Sequence, residues 1–510
     1  MRRVAAASVA LALLVSLSAC VPFPHSPETS VPVDENVSAD LKPYYSQVVK
    51  WTTCESDLQC TTVKAPLDWG NPADDSIELA LVRSKATGSD RLGSLLLNPG
   101  GPGGSGYDFV AQSENGGVTA AVQAQYDIVG FDPRGVGKST PVTCGDDPTV
   151  LDEFLYGDPD DDSTAEEGSD EWFEESITAT AEFGQICADA TGPLFAHMDT
   201  ESAARDMDLM RAVLGDKKLN YLGYSYGTFL GATYAELYPD KTGRLVLDGA
   251  VDPSVTAETS AMIDATGFEN ALRAYIANCL DQETCPFDGT VDEAMTSIRL
   301  LMNDLDESPL RAKDGRELDS GPFTTAMMFP LYDKANWQYL DQLFADTFSG
   351  NPEFAWILAD AYNDRDTETG EYSTNLFEAY FAVTCLDNSE TEPFEVVRQQ
   401  EAEIAKAAPV FGPEFGYGGL GCQGWPVTGT RVPGEIHATG SADILVVGTT
   451  NDPATPYAQA VALADQLDNG HLVTYEGEGH TAYNHSNSCV DDTVDAFFLE
   501  GTVPASDPQC

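Results

Sequence analysis

Positive charge is what this 510-residue chain lacks most, with 26 Lys and Arg set against 83 Asp and Glu, a formal net charge of -57 and a pI near 4.1. Binding to phosphate depends on clustered Lys and Arg, so nucleic acid is excluded as a partner. The acidic balance suits solubility in an exterior setting and favours cationic ligands such as an α-ammonium group. Histidine is also scarce, at six residues, which leaves few candidates for any imidazole chemistry. No Cys-x-x-Cys spacing occurs, which removes the usual signature of structural zinc or a redox dithiol, and no metal or organic cofactor is expected. Beyond the first 20 residues no apolar run is long enough to span a membrane.

Met1-Arg2-Arg3 and the apolar stretch Val4 to Leu17 have the charged and hydrophobic parts of an export signal. It ends in Leu17-Ser18-Ala19-Cys20, which resembles a bacterial lipobox, where the Cys becomes the lipidated first residue; an ordinary cleaved signal is the alternative. The expected location is therefore outside the cell membrane, anchored through Cys20 or released to the envelope. Eleven Cys less Cys20 leaves an even ten for an oxidising compartment. Close spacing suggests Cys54–Cys60 and Cys279–Cys285. Cys144–Cys187, Cys385–Cys422 and Cys489–Cys510 are expected for the rest, although spacing alone does not fix connectivity.

Residues 1–20 read as the signal and 21–43, Pro-rich and polar at the start, as a tether. From about Tyr44 short apolar runs alternate with turns: Ile77 to Arg83, Gly93 to Asn98 and Tyr126 to Phe131 read as strands, the last two apolar enough to be covered on both faces. Thr200 to Gly215 has helical periodicity, with Thr200 as N-cap and Gly215 as terminator. Leu219 to Leu222 and Arg244 to Asp248 read as further strands, with a helix from about Thr228 to Tyr238 between them. Such alternation implies a parallel sheet. It fades over 251–431, which is helical and aromatic in character, and resumes at Ala442 to Gly448. The sheet domain thus comprises 44–250 and 432–510, interrupted by a largely helical insertion.

Gly223-Tyr224-Ser225-Tyr226-Gly227 stands between a strand and a helix, the context in which the glycines permit a strained turn that presents a serine hydroxyl. Such a hydroxyl needs a base and an acid to orient that base, in the chain order Ser, Asp or Glu, His. Of the six His, His480 lies on a loop just after a strand and is favoured, with His485 second. Asp452, in Asn451-Asp452-Pro453-Ala454-Thr455-Pro456, follows another strand; its competing role is to cap the helix expected to begin with Thr455 as N-cap. Asp443 lies at the wrong end of its strand. The oxyanion of an acyl intermediate needs backbone donors: Tyr226 supplies one, and Asn98-Pro99-Gly100-Gly101-Pro102-Gly103-Gly104 the other, at Gly101 or, failing that, Gly100. The Gly101-x-Gly103-x-x-Gly106 spacing also fits a dinucleotide fingerprint, but that reading leaves the Ser, Asp, His order unexplained. Asp132-Pro133-Arg134-Gly135-Val136-Gly137-Lys138-Ser139 reads as a structural turn beside the glycine loop, with Arg134 in ion pairs.

Together these motifs resemble the proline iminopeptidase-like α/β-hydrolases, and more narrowly the secreted tripeptidyl aminopeptidases of actinobacteria and their mycobacterial lipoprotein relatives. The resemblance covers about Tyr44 to Cys510. It implies an α/β-hydrolase fold with a central, mostly parallel sheet and an inserted helical cap. It also implies Ser225 as nucleophile, Asp452 as orienter and His480 as base, and a serine exopeptidase releasing short peptides, tripeptides above all, from free N-termini. Asn98-Pro99 stands where proline iminopeptidases carry a His, which favours the tripeptidyl branch. Cap carboxylates would pair with the substrate ammonium group, Asp387 and Glu390 being the candidates. A carboxylesterase or lipase-like hydrolase of the envelope is the alternative; a binding protein on a dead hydrolase fold would need a triad member missing.

Overall fold

The structure, a computed structural model, describes residues 28–510 apart from 56, 158–162 and 390. Cys20 and Glu390 therefore lie outside the described residues. One ten-stranded sheet runs through the molecule: β1 (Glu28–Thr29), β2 (Lys50–Thr53), β3 (Gln59–Pro66), β4 (Ser76–Ser84), β5 (Gly93–Asn98), β6 (Tyr126–Phe131), β7 (Leu219–Tyr224), β8 (Thr242–Asp248), β11 (Ile444–Asn451) and β12 (Gly470–Glu478). The intervening β9 (Leu310–Arg311) and β10 (Glu317–Leu318) form a small ribbon of their own in the insertion. The sheet order is β1-β2-β3-β4-β6-β5-β7-β8-β11-β12, antiparallel up to the β4–β6 pair and parallel from β6 onward.

β5 and β6 are buried at every position, and their side chains alternate between two cores. Leu96, Val129, Tyr221, Leu245 and Val446 fill one face; Leu95, Leu97, Ile128, Leu222, Val246 and Val447 fill the other. This two-sided burial is why the strands read as near-continuous apolar runs. Parallel register brings Asn98 beside Gly223, Tyr224 beside Asp248, Val447 beside Asp248 and Asn451 beside Glu478. The loops that follow β5, β7, β8, β11 and β12 thus leave one edge of the sheet together, the edge where open α/β sheets place their ligands.

The inserted helices include Ala257–Cys279, Val291–Glu307, Ser320–Leu331, Trp337–Phe348, Glu353–Tyr362, Leu376–Asp387 and Phe394–Ala407. They enclose a core of their own around Phe268, Tyr275, Phe323, Phe344, Trp356 and Phe411. Two helices that precede β7, Thr149–Tyr156 and Asp170–Thr191, join this layer: the Phe154 and Phe183 rings stack at 4.0 Å, and Phe154 meets Phe381 at 4.9 Å. The helical roof therefore draws on two stretches of chain, one of them inside the span read as sheet domain.

Three local expectations are corrected. The helix Thr200–Leu214 is capped by Asp199, whose side chain accepts from Ser202 N at 2.8 Å, leaving Thr200 free to bond elsewhere. The helix after Asp452 starts at Tyr457 with Pro456 as its N-cap residue, one place later than read, and Thr455 bonds to Asp452 instead. From Glu28 the supposed tether is held on the core: Glu28 pairs with Arg83 and Lys85, and Glu35 with the fully buried Arg211 at 2.9 Å. Disulfides join Cys54–Cys60, Cys144–Cys187, Cys279–Cys285, Cys385–Cys422 and Cys489–Cys510. No helix among the described residues is long and apolar enough to cross a membrane.

Candidate active site

Ser225 joins β7 to the helix Tyr226–Leu237 with φ 55° and ψ -128°, a left-handed backbone that costs a non-glycine residue about 1–3 kcal/mol. Its surroundings hold it there. Ser225 N donates to Asp248 O at 2.9 Å, and its carbonyl accepts from Thr228 N at 2.8 Å and Thr228 Oγ1 at 2.6 Å. The flanking glycines are demanded by close approach: a Cβ on Gly223 would lie 2.3 Å from Gly227 O, and one on Gly227 2.8 Å from Asn98 O.

His480 follows β12, and its Nδ1 lies 2.8 and 3.0 Å from the two carboxylate oxygens of Asp452. Asp452 is buried and also accepts from Ala454 N, Thr455 N, Thr455 Oγ1 and Thr481 N. It thus caps its own turn and orients the imidazole at once; the two readings of this residue coincide. Burial opposes charge on His480, but the carboxylates of Asp452 and then Asp248 outweigh it, so its pKa lies above the ordinary value. With Nδ1 turned to the acid, the lone pair of the neutral ring sits on Nε2, which is buried and has no hydrogen-bond partner. Gly249, next to the residue that holds Ser225 N, faces this ring: a Cβ there would approach His480 Cε1 to 3.1 Å.

The glycine loop reaches the same point, since a Cβ on Gly100 would stand 2.8 Å from Ser225 Cβ and 3.2 Å from Tyr226 N. Gly100 N donates to Asn98 Oδ1 at 3.0 Å, so that donor is engaged within the loop. Tyr226 opens its helix, where first-turn N–H groups have no helical acceptor and the dipole favours negative charge. Asp132 ties the loop to the following turn by accepting from Ser105 Oγ, Tyr107 N and Lys138 N, while buried Arg134 pairs with Asp206 at 2.8 Å.

His485 turns away, with Nδ1 on Tyr483 O and Nε2 3.3 Å from Thr481 Oγ1; His471 pairs with Asp443 at the opposite end of the sheet. Among the described residues no group of three or more His, Cys, Asp and Glu is arranged to hold a metal ion.

Residues 408–510 match a family described as TAP-like protein. The serine protease Hip1 of Mycobacterium tuberculosis is 35% identical over 493 residues, covering 92% of each chain. The chain belongs to the TAP-like α/β-hydrolases. Carboxylesterase B of Mycobacterium tuberculosis is likewise 35% identical, over 90% of this chain and 89% of its own, and the tripeptidyl aminopeptidase of Streptomyces lividans is 32% identical over 91% and 86%. Among solved structures, the proline iminopeptidase of Mycobacterium smegmatis covers 86% of this chain and 97% of its own at 13% identity, with a TM-score of 0.33.

In this TAP-like hydrolase sequence reasoning missed two neighbours of the imidazole. Asp248, fully buried at the end of β8, accepts from Ala482 N and Tyr483 N just beyond His480, so one residue holds the nucleophile by its carbonyl and the histidine loop by its carboxylate. An Asp closing an apolar strand before Gly249 was the available signal. Tyr332, from the roof, accepts from His480 N at 2.8 Å with its main-chain carbonyl and sets its ring edge-on to the imidazole at 5.3 Å; nothing in its sequence neighbourhood marks it.

The expectation for Asp387 meets a different geometry. It is 4% exposed, and its oxygens accept from Thr200 N and Thr200 Oγ1, the hydroxyl that also bonds Tyr226 OH. Burial raises its pKa to about 6. Each of its oxygens thus already accepts one hydrogen bond from Thr200, beneath Tyr226.

Proposed function

We propose that this TAP-like hydrolase is an exported serine exopeptidase that releases short peptides, chiefly tripeptides, from free N-termini through an acyl-enzyme on Ser225. The observation that carries the chemistry is a buried, unpartnered His480 Nε2, its ring fixed by Asp452 and set beside Gly249, the residue after the Asp248 carbonyl that holds Ser225 N. In the proposed sequence Ser225 Oγ attacks the scissile carbonyl as its proton passes to His480 Nε2. Asp452 stabilises the imidazolium, and the N–H groups of Tyr226 and Gly101 receive the oxyanion. The imidazolium then protonates the departing amine. Water, activated by the same nitrogen, attacks the ester to free the short peptide and restore Ser225.

The peptide-releasing reading draws on relatives named tripeptidyl aminopeptidase and serine protease; the equally similar relative named carboxylesterase B favours ester cleavage as the second reading. Free and N-acetylated tripeptidyl chromogenic substrates, run beside short acyl esters, separate them. Equal rates on free and acetylated peptides, or esters far ahead of both, sink the exopeptidase. Attachment through Cys20 is part of the proposal, and mass spectrometry of the mature protein finding an unmodified N-terminus downstream of Cys20 refutes it.

A further inference from the structure

Asp264 lies on the roof helix Ala257–Cys279, on the face turned to the catalytic loops. Three residues on, Gly267 packs against the Asp452 loop so closely that a Cβ would stand 2.3 Å from Pro453 O. Four residues on, Phe268 places its ring 5.8 Å from Tyr332, the ring that meets His480. Positions three and four apart share a helix face, so Asp264 looks into the same space. Its charge reaches Tyr332, Tyr362 and Tyr380, and the Tyr332 and Tyr362 hydroxyls lie 3.4 Å apart. Tyr380 in turn borders the glycine loop, since a Cβ on Gly103 would be 3.2 Å from Tyr380 N.

The carboxylate has an acceptor's place to spare. Ser260 Oγ donates to it at 3.2 Å, and no Lys, Arg or His forms an ion pair with it among the described residues. Burial pushes its pKa up to about 7. Asp264 is half-buried, and a carboxylate without a counter-charge beside catalytic loops is where a cationic ligand can supply the missing charge.

We propose that Asp264 anchors the α-ammonium group of the substrate. This rests on the exopeptidase reading above and assigns to Asp264 the role expected of Asp387.

The test compares kcat/KM on free and N-acetylated tripeptidyl substrates for the full chain and for Asp264→Asn, Asp264→Glu and Asp387→Asn. A wild-type ratio near one removes the exopeptidase reading and the anchor with it. With a wild-type ratio well above one, Asp264→Asn is expected to lower it about 10²-fold, mainly through KM for the free amine. Asp264→Glu keeps the charge and is expected to retain more of the preference. An unchanged ratio in Asp264→Asn, equal ratios in the Asn and Glu variants, or a collapse confined to Asp387→Asn overturns the anchor while leaving the exopeptidase standing. Thermal melting checks the fold, and Asp264→Ser replaces the Asn variant if that chain does not fold.

Discussion

Below the cleft, the residues around Ser225 are held largely by main chain. Ser225 N rests on Asp248 O, the Asp248 carboxylate on Ala482 N and Tyr483 N, Asp452 on the N–H groups of Ala454, Thr455 and Thr481, and Asn98 on Gly100 N. Above it, the roof presents side chains: the rings of Tyr332, Tyr362 and Phe377, and the sparsely bonded Asp264. Each floor contact has main chain on at least one side and so depends on few side chains, whereas a surface of rings and one carboxylate changes with every replacement. The floor is thus suited to preserving a reaction and the roof to varying what is brought to it.

Four perturbations break or sharpen this contrast, in order of size. Ser225→Ala removes the nucleophile and is expected to lower turnover about 10⁶-fold on any substrate, with an unchanged melting curve; stopped assays with the purified variant read it. Asp452→Asn should cost about 10⁴-fold in kcat, because an amide donor facing His480 Nδ1 favours the wrong tautomer. Asp248→Asn offers one acceptor where three backbone contacts converge, and about a tenfold loss in kcat is expected from steady-state kinetics. Neutral His480 is the active base and its pKa is raised, so kcat/KM in the wild type should fall with acidity from above the ordinary histidine value of about 6.5. Removing the Asp248 charge should move that limb to lower pH; a limb that stays put argues that Asp248 acts on geometry alone.

The smallest effect belongs to Asp387, whose folded pKa of about 6 exceeds the usual 3.8. A raised carboxylate binds its proton more tightly when folded, so it withdraws stability as pH rises through about 4 to 6. Asp387→Asn should therefore gain in melting temperature relative to the wild type over that window, with kcat changed by less than about twofold. A larger kcat loss would move Asp387 from supporting Tyr226 into the catalytic apparatus.

What the sequence made legible follows the same division. β5 and β6 could be bounded to the residue because burial on both faces leaves an uninterrupted apolar run, and Ser225, Asp452 and His480 drew notice because they stand one, one and two positions past strand ends. Thr200 and Asp199 are both competent caps one residue apart, and only the demand of Asp387 for a hydroxyl shows why Asp199 takes the position. The helices Thr149–Tyr156 and Asp170–Thr191 precede β7, so chain order alone assigns them to the sheet, while Phe154 and Phe183 find their partners in the roof. Tyr332 and Asp264 are 68 positions apart and belong to no local pattern. Their placement comes from packing between helices, to which periodicity within one helix is blind.

Each of the five disulfides closes a stretch of no more than 43 residues, and none links the roof helices between Ala257 and Ala407 to the sheet. Cys144–Cys187 ties the roof helix Asp170–Thr191 to the stretch after β6, while the inserted helices meet the sheet through ordinary contacts alone. Admission of a peptide beneath the inserted helices then asks for no thiol exchange.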